Sequence, residues 1–107
     1  ELVVGSPGGP TIPTTVVQVI MNVLDHKMDP VRAVGAGRLH HQYLPDMLSV
    51  DRYGLEPATA AALVAKGHQL KQVDSWGDAE AVGEDPVTHL RYGASDPRNE
   101  GAAVGQD

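Results

Sequence analysis

The residues whose types and spacing could do chemistry gather at the start of the chain. There the apolar run Leu2-Val3-Val4 breaks into Gly5-Ser6-Pro7-Gly8-Gly9-Pro10, and a helical pattern opens at Thr14. A strand, a glycine turn and a helix start, in that order, aim backbone N–H groups at whatever sits above the turn. The chemistry on offer is therefore the holding of an anion, either a phosphate or the oxyanion of an acyl transfer. A phosphate loop of the Walker type needs a Lys and a Ser or Thr after its last glycine, whereas Pro10 and Thr11 follow Gly9. The spacing does not match the three glycines of a dinucleotide fingerprint either. A tight turn between a strand and a buried helix is the purely architectural alternative.

Other candidates carry less. His40, His41 and Asp46 are metal-ligating types, yet adjacent side chains of an extended segment point to opposite faces and cannot share one ion. They read as structural or hydrogen-bonding histidines, and no metal is expected. Asp96 and Arg98 flank Pro97 and read as a buried or half-buried ion pair with some other segment. Ser6 precedes a proline in the turn, and nothing in the sequence sets His40, His41 or His89 beside it, so no Ser-His-Asp nucleophile is assigned.

The elements that must position the turn follow from pattern. Leu2 to Val4 offers no polar face and reads as the end of a buried strand. Three Gly and two Pro between residues 5 and 10 force a turn that needs positive φ or close backbone approach. From Thr14 to Met28 the apolar residues surround a helix almost completely, which predicts burial on most sides, with Pro13 in its first turn and Thr11 or Thr14 as cap. Asp29-Pro30 is an N-cap and first helical residue, opening a short helix that Gly35 and Gly37 end. Arg38 to Gln42 and Met47 to Arg52 read as extended segments on either side of Pro45. Glu56-Pro57 begins an alanine-rich helix suited to close packing against a sheet, with Gly67 at its stop and a strand over His68 to Val73. Strands over Ala79 to Val82 and Val87 to Ala94 form a hairpin through Gly83-Glu84-Asp85-Pro86. The tail over 100–107 has little to bury and is expected to be flexible.

Composition bounds the whole. A chain of 107 residues is one domain at most, and with no Phe, one Trp and three Tyr its core must come from Val, Leu, Ala and Ile. Twelve Gly and eight Pro add turns, and the chain reads as a piece that needs neighbouring polypeptide to finish its core. A net charge of -6 with no cluster of Lys or Arg argues against nucleic acid and anionic membranes as partners. No cysteine excludes disulfide and thiol chemistry and leaves the compartment open. No run approaches the ~18 apolar residues of a membrane span. The chain starts at Glu1, directly before a strand and without Met or a leader pattern, which suggests a segment cut from something longer.

Taken together, GSPGGPTIPTTVVQVIMNVLD, the run RLHHQYLPD from Arg38 to Asp46, WGDAEAV from Trp76 to Val82 and YGASDPR from Tyr92 to Arg98 carry a family likeness. In the same order and at similar spacing, they resemble the C-terminal part of the small subunit of γ-glutamyltransferases (γ-glutamyltranspeptidases). The likeness covers nearly the whole chain. It implies an α/β (α+β) fold, the C-terminal portion of the αββα sandwich of N-terminal nucleophile hydrolases, with residues 1–107 a single partial domain.

In that family a Thr exposed by self-cleavage attacks the γ-glutamyl amide of glutathione, with its own α-amino group as base. The γ-glutamyl group then passes to water, an amino acid or a peptide. The resemblance makes Gly8 and Gly9 the backbone donors of the oxyanion hole and implies no cofactor. It makes the partners the large subunit and the N-terminal part of the small subunit. The substrates it implies are glutathione or other γ-glutamyl small molecules. The catalytic Thr, the glutamate-binding residues and the paired serines are expected before residue 1, and the arginine that holds the substrate carboxylate in the large subunit. Thr11, Thr14 and Thr15 follow the glycines and cannot stand in, so the chain alone is expected to be inactive. Bacterial members are commonly exported, which implies a periplasmic or extracellular location. The alternatives are a non-catalytic binding or interaction module that kept the scaffold, and a fragment of a related acylase acting on a β-lactam side chain.

Overall fold

The computed structural model describes residues 1–52 and 54–105, so the last two residues of the expected flexible tail lie outside the described residues. The chain has a mixed α/β fold that divides into two compact units, residues 1–36 with 77–107, and residues 37–76.

The first unit is an antiparallel sheet in the order β1-β5-β6, built from β1 (Leu2–Gly5), β5 (Glu80–Glu84) and β6 (Arg91–Ser95), with helices α1 (Ile12–Leu24) and α2 (Pro30–Gly35). Pairing of Val4 with Ala81, and of Ala81 with Ala94, sets one row of small residues on the face that meets the helices. Val19, Val34, Ala79, Ala81 and Ala94 form the core, and Leu2 and Val4 pack against it. Small sheet residues let the helices approach closely, which is how a core without Phe closes.

Burial is more one-sided here than the residue types imply. β1 alternates, with Leu2 and Val4 half-buried and Val3 59% exposed, because it is an edge strand whose sheet carries helices on one face. The expectation of a fully buried strand is thereby corrected. α1 is likewise shorter and barer than its sequence suggests. Thr15 and Val19 are buried, while Val17, Met21 and Leu24 are exposed, since only one side of the helix meets the sheet. It stops because Asp25 N–H and His26 N–H both close on Met21 O and Lys27 takes a positive φ of 55°, which reverses the chain before Met28.

α2 forms as its sequence dictates. The Asp29 carboxylate accepts from Arg32 N–H at 3.0 Å, and Pro30 fills the first turn, where a missing N–H costs nothing. Its other end is closed by a distant residue. Arg98 donates to Val34 O at 3.2 Å and Ala36 O at 2.7 Å, carbonyls that a helix end leaves without partners. The same guanidinium meets Asp96 Oδ1 at 3.1 Å, with both side chains almost wholly buried. Asp96 Oδ2 accepts from Ala79 N–H at 2.9 Å, just before β5. The expected pair with another segment is thus a pair within one turn, and the two side chains reach out separately to α2 and to the β5 lead-in.

The hairpin turn lies later than expected, over residues 85–90, with Gly83 and Glu84 inside β5. Asp85 Oδ1 accepts from Val87 N–H and Thr88 N–H at 2.8 Å each and curls the chain there. The bonds from Thr88 and Val87 hold the Asp85 carboxyl below its usual range. Gly83 is required within β5 because the Tyr92 hydroxyl occupies the space of a Cβ.

The second unit holds β2 (Leu39–His40) antiparallel to β3 (Leu48–Val50), β4 (Leu70–Gln72) parallel to β3, and α3 (Pro57–Ala65) connecting the parallel pair. Asp51, fully buried, fixes its loop by accepting from Arg38 N–H and Gly54 N–H at 3.2 Å each. Gly67, at φ 96°, stops α3 as its position predicts. The close packing expected of α3 is not seen. None of its residues is buried, because strands of two or three residues offer too little surface to cover a nine-residue helix.

Removing one partner of a buried, hydrogen-bonded pair strands the other's charge. Arg98→Ala is expected to destabilise the chain by about 3–5 kcal/mol, read as a lower urea midpoint at unchanged slope. A midpoint equal to wild type would contradict this role for the pair.

Candidate functional site

The glycine turn is held by two hydroxyls. Ser6 Oγ donates to Pro7 O at 2.9 Å and accepts from Asp78 N–H at 3.0 Å, tying the turn to the strand beside β1. Gly8 takes φ 140° and Gly9 φ 59°, conformations open to glycine and costly for other residues. A 3-10 turn, Gly9–Thr11, leads directly into α1. Thr11 sits at the N-cap position of α1 without capping it, because its hydroxyl turns back to Gly8 O at 2.8 Å, alongside its own N–H at 3.2 Å. The Thr14 hydroxyl turns back too, to Thr11 O at 3.1 Å, so neither expected cap is made.

This geometry leaves the Gly8 and Gly9 N–H groups without an acceptor among the described residues, and both residues are exposed. No acidic residue in the first turn of α1 offsets the positive end of its dipole. Two adjacent unpaired donors at such a helix start can hold an oxygen bearing negative charge. The two glycines differ in what surrounds them. A Cβ at Gly8 would run into the Thr11 hydroxyl, whereas a Cβ at Gly9 would meet nothing within 4 Å.

The remaining candidates fall into structural bonds. His41 Nε2 lies 2.9 Å from Asp46 Oδ1 and His40 Nε2 lies 2.9 Å from Gln42 Oε1. His89 Nδ1 meets Glu84 Oε1 at 3.1 Å. Among the described residues no group of three or more His, Cys, Asp and Glu could hold a metal. With its hydroxyl donating to Pro7 O and accepting from Asp78 N–H, Ser6 has no base beside it among the described residues.

Sequence reasoning missed Asp78. Its backbone anchors Ser6, while its half-buried carboxyl sits near Glu80 and Asp96, with Oδ1 out of contact with water and accepting no bond. Burial first, then the bond and charge of Glu80 and the charge of Asp96, push the Asp78 carboxyl above its usual value, against a smaller opposing bond from Asn99. The alternation around the core alanines Ala79 and Ala81 sets Asp78 and Glu80 on one face, which was the signal available.

The family model for gamma-glutamyltranspeptidase matches residues 1–106. The chain belongs to the gamma-glutamyltranspeptidase family. It is 43% identical over 98 residues to the glutathione hydrolase proenzyme of Escherichia coli, covering 92% of this chain and 17% of that protein. Among solved structures, the gamma-glutamyltranspeptidase of Pseudomonas nitroreducens complexed with L-DON superposes with a TM-score of 0.91 at 36% identity, over all of this chain and 56% of that one. A cephalosporin acylase from Bacillus halodurans gives 0.88 at 27% identity, over 97% of this chain and 20% of that one. The chain thus spans about a fifth or less of the length of the curated relatives it matches.

The raised Asp78 value has a stability consequence. The folded chain holds this proton more tightly than the unfolded chain. The favourable contribution is therefore complete below the unfolded value of 3.8 and is lost as pH rises through the raised folded one. Asp78→Asn replaces a repelled carboxylate with an amide that can donate to Glu80. It is expected to raise Tm near neutral pH, with the gain shrinking as pH falls towards about 4. A gain that stays constant over that range would show that ionisation is not its source.

Proposed function

We propose that residues 1–107 form part of a γ-glutamyltransferase that cleaves the γ-glutamyl amide of glutathione and related compounds and passes the γ-glutamyl group to water or to an amino acid or peptide. In this reading the chain contributes to an αββα sandwich completed by the large subunit and the N-terminal part of the small subunit. The nucleophile is a Thr outside these 107 residues. Attack of its hydroxyl on the amide carbon puts negative charge on the carbonyl oxygen, and collapse expels the amine with a proton. Gly8 N–H and Gly9 N–H hold that oxygen while it is charged, which lowers the barrier because donors already aimed need no reorganisation.

The observation that carries the reading is the pair of adjacent, unbonded N–H groups at the head of α1 in a chain of this family. The likeness to a cephalosporin acylase supports a second reading, a β-lactam side-chain acylase, with lower sequence identity behind it than the first. Turnover of a γ-glutamyl anilide against a β-lactam amide separates the two.

The 107-residue chain purified free of any partner is expected to release no product from a γ-glutamyl anilide. Turnover above a heat-treated control would refute this. In a chain of family length carrying this segment, Gly9→Ala sets a methyl in the open space above the turn at a φ that Ala tolerates for about 1–2 kcal/mol. It is expected to lower kcat at least about ten-fold while the protein stays folded.

A further inference from the structure

We propose that Ser6 and Thr11 are positioning residues, each fixing one of the two peptide planes whose N–H groups make the anion-holding turn. The proposal rests on the oxyanion reading above and extends it to side chains that never touch the substrate.

A trans peptide holds its N–H antiparallel to its C=O, so a bond that fixes a carbonyl also fixes the direction of the next residue's N–H. The plane that ends in Gly8 N–H begins with Pro7 C=O, and the Ser6 hydroxyl donates to that oxygen at 2.9 Å. The plane that ends in Gly9 N–H begins with Gly8 C=O, and the Thr11 hydroxyl donates to that oxygen at 2.8 Å. One hydroxyl therefore serves each donor. Neither bond caps α1 or joins strands of the sheet, so helix and sheet formation alone do not require them.

The two clamps are not equally strong. Gly8 O also accepts from Thr11 N–H at 3.2 Å, which survives any side-chain change at that position. Among the described residues Pro7 O has only Ser6. Ser6 in turn is anchored from a segment 72 residues away, through Asp78 N–H at 3.0 Å, so its hydroxyl is fixed in space rather than only along the chain. With that hydroxyl gone, the Pro7–Gly8 unit is bounded by a glycine at φ 140° that has no Cβ to resist rotation, and Gly8 N–H loses its aim. A donor that must turn back during the reaction has lost the preorganisation that made it useful.

The test uses the autoprocessed enzyme of family length carrying this segment, with a γ-glutamyl anilide as substrate. Rates are normalised to the processed fraction on a denaturing gel, so that poor maturation is not read as slow chemistry. Losing the aim of a donor costs less than losing the donor, so Ser6→Ala is expected to lower kcat about ten-fold and Thr11→Val about three-fold, with KM within about two-fold of wild type. Ser6→Thr and Thr11→Ser, which keep the hydroxyls, are expected to restore kcat to within about two-fold. Wild-type kcat in Ser6→Ala and Thr11→Val, alongside a fall in Gly9→Ala, would overturn this inference and leave the oxyanion reading standing. Undiminished kcat in Gly9→Ala would remove both. Equal losses in the hydroxyl-keeping variants, or a rise in KM with kcat unchanged, would assign Ser6 and Thr11 to packing or binding and overturn the proposal.

Discussion

The first unit depends on the ion pair between Asp96 and Arg98. A helix of six residues has too few internal bonds to hold itself, and α2 is kept in place by a cap at one end and a guanidinium at the other. The same two side chains fix the carbonyls of Val34 and Ala36 and the N–H of Ala79. Val34 and Ala79, both fully buried core residues, are thereby held from their backbones. A pair buried this deeply gains little over apolar packing in net energy. What it provides here is placement, because an apolar substitute would remove the bonds it makes to Ala36 C=O and Ala79 N–H.

That placement reaches the glycine turn by a short route. Ala79 is one residue from Asp78, whose N–H meets Ser6, so two consecutive backbone N–H groups of the β5 lead-in connect the pair to the turn. The turn itself is conformationally demanding, with two successive positive-φ glycines. Glycines this free keep one conformation only where the surroundings fix it from several sides, and here β1, the β5 lead-in and α1 do so.

Much of this was legible in the sequence, and the reason lies in local chemistry. Asp29-Pro30, Gly67 and the Gly8-Gly9 pair each satisfy a backbone requirement that few other residue types meet, so position along the chain was enough to place them. The four ordered motifs likewise pointed to the family that the comparisons show. Burial was not legible in the same way. Val3, Val17, Met21 and Leu24 are apolar, but apolarity records what a residue is suited to meet and not whether these 107 residues supply the cover. The hairpin turn moved because a single carboxylate, Asp85, outweighed the strand propensity of Val87. Ser6 and Thr11 escaped because the target of a short hydroxyl is set by backbone angles that the sequence does not state.

The edge position of β1 has a further meaning. Its outer side presents a row of backbone donors and acceptors, and the sheet face turned from the helices shows Val3 and Val82, each more than half exposed. An open edge beside an apolar face is a surface that pairs readily with any extended strand brought to it. Pairing of that edge is therefore what guards such a sheet against aggregation.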